Sequence, residues 1–250
     1  MRLKQYLKEA IIQSNKKEVK LFKDLITKER KKVLKRDPEG QYEHMIFHAM
    51  KSVASQITKK IKDLEVEFIL VNVGTLINGQ AGADYPKHKL EVMYNITLAL
   101  EYWHEDDNMF EVWLSDILNV VDHELVHIEQ YRKLVKVKKK DYGEVFDILG
   151  SIAYRQTQAE KKSSSMDAYL QDTLEIMAHA QEADSELRRY DISAIEVLDS
   201  LKSKEKLPEI QSEAFSKYYI YMYKKYPKTW RKFIKYFVMF LEKRAKKEKK

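Results

Sequence analysis

Apolar residues recur every three or four positions along much of this chain, which is the spacing of amphipathic helices. The clearest such pattern lies in the middle of the chain, where one face is formed by Leu114, Ile117, Leu118, Val121, Leu125 and Ile128. Similar patterns predict further helices over residues 1–36, 41–64, 143–160, 191–203 and 208–226.

The last predicted helix begins at Pro227 and has a wide apolar stripe, with Lys and Arg on the opposite side. The stripe consists of Trp230, Phe233, Ile234, Phe237, Val238 and Leu241. We expect the stripe to dock on the core of the protein, because burial is the usual fate of such a face. The charged tail, residues 242–250, is expected to be frayed.

Two stretches ahead of the central helix have the pattern of β-strands. The first is an apolar run formed by Val66, Phe68, Leu70, Val71 and Val73. In the second, residues 90–97, apolar and polar positions alternate, which indicates a strand with one buried face. The segment 78–86 between them contains Gly79, Gly82 and Pro86 and is predicted to be a loop.

These elements predict an α+β fold that is mostly helical. We divide the chain into N-terminal helices (1–63), a core (64–190) and C-terminal helices with a basic tail (191–250). Hydrophobic residues make up 44% and charged residues 34% of the chain, as in soluble globular proteins. The net charge of +7 comes from lysines that are spread over solvent-facing positions.

Composition also limits the chemistry that the chain can perform. The chain has no cysteine, so it has no disulfide and no thiolate ligand, and a metal would be bound by His, Glu or Asp. No signal peptide and no apolar run of about 18 residues is recognisable, so we expect a cytoplasmic protein without a transmembrane segment.

The central helix carries the sequence HELVH at residues 123–127. Residues four apart lie on the same face of a helix, so His123 and His127 can bind one metal ion through their imidazole nitrogens. Glu124 lies beside that face, where a general base for a metal-bound water belongs. The pattern therefore predicts a catalytic metal site on this helix.

A second histidine pair, His44 and His48, has the same spacing on the second predicted helix. Met45 stands where the glutamate of the motif would be. We interpret these two residues as core or surface histidines that do not bind a metal.

A catalytic zinc ion takes three protein ligands and leaves a fourth position for water. The segment 169–180 is predicted to be a helix that Asp172 caps, with Glu175 three residues later. Glu175 is the favoured third ligand, and His179, one turn further on, is the alternative.

The sequence HELVH, followed some tens of residues later by a helical Glu-x-x-Ala, resembles the zincin metallopeptidases in their glutamate-ligand (gluzincin) arrangement. The longer pattern, HELVHIEQ with a downstream YLxDxxEIxAHA, is similar to small metallopeptidase-like proteins encoded by bacteriophages. The resemblance covers residues 113–187. It implies a zincin-like core, with a small sheet, an active-site helix and a third-ligand helix. The implied zinc ligands are His123, His127 and Glu175, and the implied general base is Glu124.

Two further expectations come from the same resemblance. In zincins, a strand just ahead of the metal-binding helix commonly lies along the cleft and pairs with an extended substrate through its exposed edge, and residues 90–97 are the candidate. The alternative is that these residues belong to a small sheet that only packs on helices. Zincin-like sites also often place a Tyr, His or Arg where it stabilises the oxyanion. Tyr169 is the candidate for this catalytic role, and Tyr85 is the weaker alternative.

The predicted function is therefore that of a zinc-dependent metallohydrolase, and within that class of a peptidase, with Zn²⁺ as its cofactor and a peptide or protein as its substrate. If the chain is phage-encoded, it would act in the host cytoplasm or the virion. The alternative is a basic structural or nucleic-acid-binding protein with a vestigial zincin scaffold. In that case the aromatics and lysines between Tyr218 and Tyr236 would contact nucleic acid or an anionic surface.

Overall fold

The computed structural model describes residues 16–38, 43–71, 78–84, 89–97, 100–104, 107–138 and 170–248. The chain divides into two compact units, residues 1–147 and residues 148–250. Helices dominate the described residues of both units, and the described strands form one small sheet, so the predicted α+β, mostly helical class is confirmed.

Some sequence-based predictions fall outside the part of the chain that the structure describes. They concern the helix over 143–160, Tyr85 and Tyr169. The three-part division of the chain stays a prediction.

In its described residues, the first unit contains four helices: α1 (Lys16–Arg36), α2 (Glu43–Lys60), α3 (Leu100–His104) and α4 (Asp107–Lys138). Helices α1 and α2 pack against each other, as their amphipathic patterns require. Their buried faces include Phe22, Ile26, Ile46, Met50, Val53 and Ile57. Each such side chain contributes about 1.5–3 kcal/mol when it is fully buried.

The sheet of the first unit consists of β1 (Leu64–Val71), β2 (Asn78–Asp84) and β3 (Lys89–Thr97), in the order β1-β3-β2. β1 runs parallel to β3, and β2 runs antiparallel to it. The alternation in β3 has the predicted effect, because Leu90, Val92, Tyr94 and Ile96 are all buried. However, β3 is paired on both sides, so the prediction that residues 90–97 form an exposed edge is wrong.

The prediction of a loop over residues 78–86 is also wrong for residues 78–84, which form the strand β2. Every residue from Asn78 to Asp84 has a partner in β3, in a register that runs from Asn78–Asn95 to Asp84–Lys89. Backbone pairing and packing against α4 thus outweigh the low strand propensity of the two glycines.

Helix α4 is tied to its surroundings by arginine side chains. Near its end, Arg132 makes a two-pronged ion pair with Asp63, which precedes β1, with both N–O distances at 2.8 Å. Arg132 also pairs with Glu129 on its own helix. At the start of α4, Arg30 of α1 donates to the Asp107 carboxylate at 2.6 Å. Paired N–H groups of this kind hold a helix in one orientation.

The second unit contains α5 (Thr173–Arg189), α6 (Ala194–Ser200), a 3-10 helix (Lys204–Glu209), α7 (Glu213–Met222) and α8 (Pro227–Glu248) among its described residues. Helix α5 begins directly after Asp172, as predicted. Helix α7 begins later than the predicted Pro208, because the Ser212 side chain accepts a hydrogen bond from Phe215 N at 3.0 Å and caps the helix there.

Helix α8 packs its apolar face against α5 and α6, which confirms that the stripe docks on the core. The buried residues include Trp230, Phe233, Phe237, Phe240 and Leu241. The ring of Phe233 stacks on that of Tyr218, with centroids 4.3 Å apart and an interplanar angle of 8°. Offset stacking adds about 0.5–1.5 kcal/mol to the gain from burial.

The prediction of a frayed tail is wrong for residues 242–248. Arg244 pairs with the Asp184 carboxylate at 2.8 Å and donates to Ile192 O at 2.6 Å. The Glu248 carboxylate accepts from Ala194 N at 3.2 Å. These contacts attach the last turns of α8 to α5 and to the start of α6, so the helix continues to Glu248.

Candidate metal site

Helix α4 buries four polar residues within two turns. Asp122, His123, Glu124 and His127 have exposed fractions of only 6–8%. Burial of ionisable groups is costly, and proteins retain such groups where they are paired or coordinate a metal ion. The HELVH motif therefore lies in an environment that favours a functional site over a solvated helix face.

The two motif histidines face each other through their Nε2 atoms. These atoms are 3.3 Å apart, and the ring centroids are 5.0 Å apart. Two ligands of a tetrahedral zinc ion, each bound at about 2.0–2.1 Å, are separated by roughly 3.3–3.4 Å. The pair therefore already has the spacing that one metal ion requires of two of its ligands.

Gln130 holds the ring of His127 in the orientation that ligation needs. Its Oε1 atom is 3.1 Å from His127 Nδ1 and can only accept, so Nδ1 carries the proton. Neutral His127 then presents the Nε2 lone pair towards His123. Metal-binding histidines are typically oriented by such a partner on the second nitrogen. The sequence prediction missed Gln130, although its position three residues after His127 was a usable signal.

Glu124 is buried next to the sheet of the first unit. Burial, and then the nearby charges of Glu124 and Asp122, raise the pKa of the Tyr94 hydroxyl well above its usual value. Tyr94 lies on β3 and is fully buried. The Glu124 side chain is therefore buried close enough to Tyr94 for its charge to affect the Tyr94 hydroxyl.

The two candidates for the third ligand both lie on α5. His179 is buried, and its Nδ1 donates to the Glu182 carboxylate at 2.7 Å, which leaves Nε2 as the nitrogen that could bind a metal. Glu175 lies in the first turn of the helix, and its charge is the second cause, after burial, of the raised pKa of Tyr218.

The predicted ligands belong to different units: His123 and His127 lie in the first, and Glu175 and His179 lie in the second. The choice of the third ligand therefore stays a prediction. Two imidazoles and a carboxylate suit zinc, but they also suit other divalent transition metals, so the donor set by itself does not select zinc.

The second histidine pair has different surroundings. His44 and His48 lie on α2, are both exposed, and have ring centroids 6.2 Å apart. Neither belongs to a possible metal-binding group among the described residues. Tyr169, the predicted oxyanion stabiliser, lies outside the described residues, so its role stays a prediction.

Comparison of the chain with protein-family models, with curated proteins and with solved structures gives no match. Within the described part of the chain, each helix is either too short or too polar to span a bilayer.

Proposed function

We propose that this protein is a zinc-dependent metallohydrolase, and specifically a peptidase with a zincin-like core. The proposal depends above all on the 3.3 Å separation of His123 Nε2 and His127 Nε2. Glu175 is the proposed third ligand. No cysteine competes for the metal, and histidine with carboxylate is the ligand set of many catalytic zinc sites.

In this proposal, His123, His127 and Glu175 would hold the zinc ion, which would supply a water of lowered pKa and a Lewis acid for the scissile carbonyl. Glu124 accepts the proton of the attacking water and passes it to the leaving amine. Its burial suits this role, because a carboxylate shielded from solvent interacts more strongly with groups in the site. Gln130 keeps the His127 ring in the ligating tautomer.

A peptide is the proposed substrate because a strand edge lies beside the catalytic helix. Within the described residues, β2 pairs only with β3, so its other edge has backbone N–H and C=O groups available for an extended chain. β2 also packs against α4. This assigns to β2 the substrate-pairing role that the sequence had suggested for residues 90–97.

The nucleic-acid-binding alternative is weakened by the packing of the C-terminal helices. Tyr218, Trp230 and Phe233 are buried inside the second unit, so they are not accessible for stacking on bases, whereas Tyr221 is exposed. Exposed charges of α8, such as Arg231 and Lys232, leave an electrostatic surface that could contact phosphates. Steeply salt-dependent DNA binding by a protein without bound metal would favour this alternative.

The test combines metal analysis with hydrolysis of fluorescently labelled casein. We expect one zinc ion per chain, hydrolysis that 1,10-phenanthroline abolishes, and recovery when zinc is added back. The Glu175→Ala variant should bind zinc more weakly than the wild type. A zinc-loaded protein that leaves a panel of unfolded protein substrates intact, or hydrolysis that is insensitive to the chelator, would contradict the proposal.

A further inference from the structure

The strand β2 approaches helix α4 so closely at Gly79 that no side chain fits between them. A Cβ atom added at Gly79 would lie 2.5 Å from Glu124 Cγ and 3.1 Å from Glu124 Cδ. It would also lie 3.0 Å from Val120 Cγ1. Carbon atoms in ordinary contact are about 3.5–4.0 Å apart. The space that a side chain at position 79 would fill is therefore taken by the side chain of Glu124.

The strand register shows to which face of the sheet a side chain at position 79 would project. Gly79 is directly paired with Tyr94, and directly opposed residues of antiparallel strands project to the same face. On β3 that face is filled by the Tyr94 ring, which packs on Phe22 and Phe68 at centroid distances of 5.8 and 5.5 Å. On β2 this face has no side chain at position 79, and the Glu124 side chain lies there.

The raised pKa of Tyr94 agrees with this placement. The charge of Glu124 is the second cause, after burial, of the raised pKa of the Tyr94 hydroxyl. Gly79, Tyr94 and Glu124 therefore share one small region of the first unit.

We propose that Gly79 is a positioning residue, whose missing side chain lets Glu124 lie across β2 and so fixes the general base beside the metal-binding histidines. This inference rests on the proposed function, because it concerns the geometry of that reaction. A methyl group at position 79 would displace the Glu124 side chain by about 1 Å, which is the difference between the present distance and ordinary contact. A displacement of that size typically costs about 100-fold in rate.

A stability cycle tests the contact without any reference to catalysis. Gly79→Ala should lower the Tm of the wild type by several degrees, although alanine has the better intrinsic propensity within a strand. In a Glu124→Ala background, which has no Cγ at position 124, the same change should lower the Tm much less. Gly82→Ala, which adds a methyl to the same strand, should have the same effect on Tm in both backgrounds. Equal losses for Gly79→Ala in both backgrounds would overturn the proposal.

Hydrolysis of labelled casein then tests the positioning role. Gly79→Ala should lower kcat about 100-fold while KM and the zinc content stay at wild-type values. Unchanged kcat would overturn the proposal, and so would a loss of zinc, which would make the effect a structural one. If the zinc-loaded wild type does not hydrolyse protein at all, the proposed function fails, while the Tm cycle still decides whether Gly79 makes room for Glu124.

Discussion

Two histidine pairs with the same spacing, on two helices of one unit, differ in nearly every other respect. His44 and His48 on α2 are exposed, and their ring centroids are 6.2 Å apart. His123 and His127 on α4 are buried, and their centroids are 5.0 Å apart. A four-residue spacing places two rings on one helix face, but it does not make them ligands.

The difference arises from what each helix face meets. The α2 pair points to solvent, while Ile46 and Met50 of the same helix point into the core. The α4 pair lies on a helix that packs against β2, and Gln130 fixes the ring of His127. Burial beside acidic residues and close approach of the two rings are thus the features that distinguish a candidate metal site from a pair of surface histidines.

The largest effect is expected when the buried pair is broken. His123→Ala and His127→Ala should each lower zinc affinity by roughly a thousandfold or more and abolish hydrolysis, because a three-residue site cannot lose an imidazole without losing most of its binding energy. Isothermal titration with zinc measures this. His44→Ala and His48→Ala are matched controls, and a loss of zinc from either would contradict the comparison.

The second prediction separates metal binding from catalysis. Glu124→Gln should keep the zinc affinity of the wild type and lower the rate of hydrolysis by about 10²–10⁴-fold, since the amide retains the shape of the side chain but cannot accept the proton. Zinc content and casein hydrolysis are measured on the same preparation. Wild-type activity in this variant would remove Glu124 from the mechanism.

A smaller effect is expected for the residue that orients His127. Gln130→Ala should weaken zinc binding by about 10–100-fold, as is typical when the hydrogen-bond partner of a metal-binding histidine is removed. Competition with a fluorescent zinc chelator gives the affinity. Unchanged zinc affinity would mean that the ring of His127 is held by packing alone.

The smallest effect is expected when the full motif is built on the exposed pair. Met45→Glu creates the sequence HEIFH at residues 44–48, and we expect it not to restore zinc binding to the His123→Ala variant. The exposed rings lack the close spacing and the burial of the α4 pair. Stoichiometric zinc in the double variant would show that the motif alone is sufficient and would break the comparison.

The helices and the motif were predictable because they depend on local periodicity. Helix α4 and the placement of His123 and His127 on one face follow from residues three and four apart. The strand β2 was not predictable in this way. Its glycine at position 79 leaves room for the side chain of Glu124, which is distant in the sequence. An alternating pattern of apolar and polar residues does not predict the order of strands in a sheet. For this reason β3 was predicted to be an edge strand, although it is the central strand.

Non-local contacts also explain the other differences between prediction and structure. The end of α8 looks like a frayed tail in the sequence, but Arg244 and Glu248 are held by Asp184 and by Ala194 N, in other helices of the same unit. Spacing alone likewise leaves Glu175 and His179 open as the third ligand. The choice between them depends on how the second unit meets the HELVH helix, and Glu175 stays the predicted ligand.

Anomalous diffraction at the zinc absorption edge, from crystals of the zinc-loaded protein, tests the central claim most directly. The account predicts one strong peak per chain, bonded at about 2.0–2.1 Å to His123 Nε2, His127 Nε2 and a carboxylate oxygen of Glu175. A peak at His44 and His48, or no peak within bonding distance of the buried pair, would contradict it.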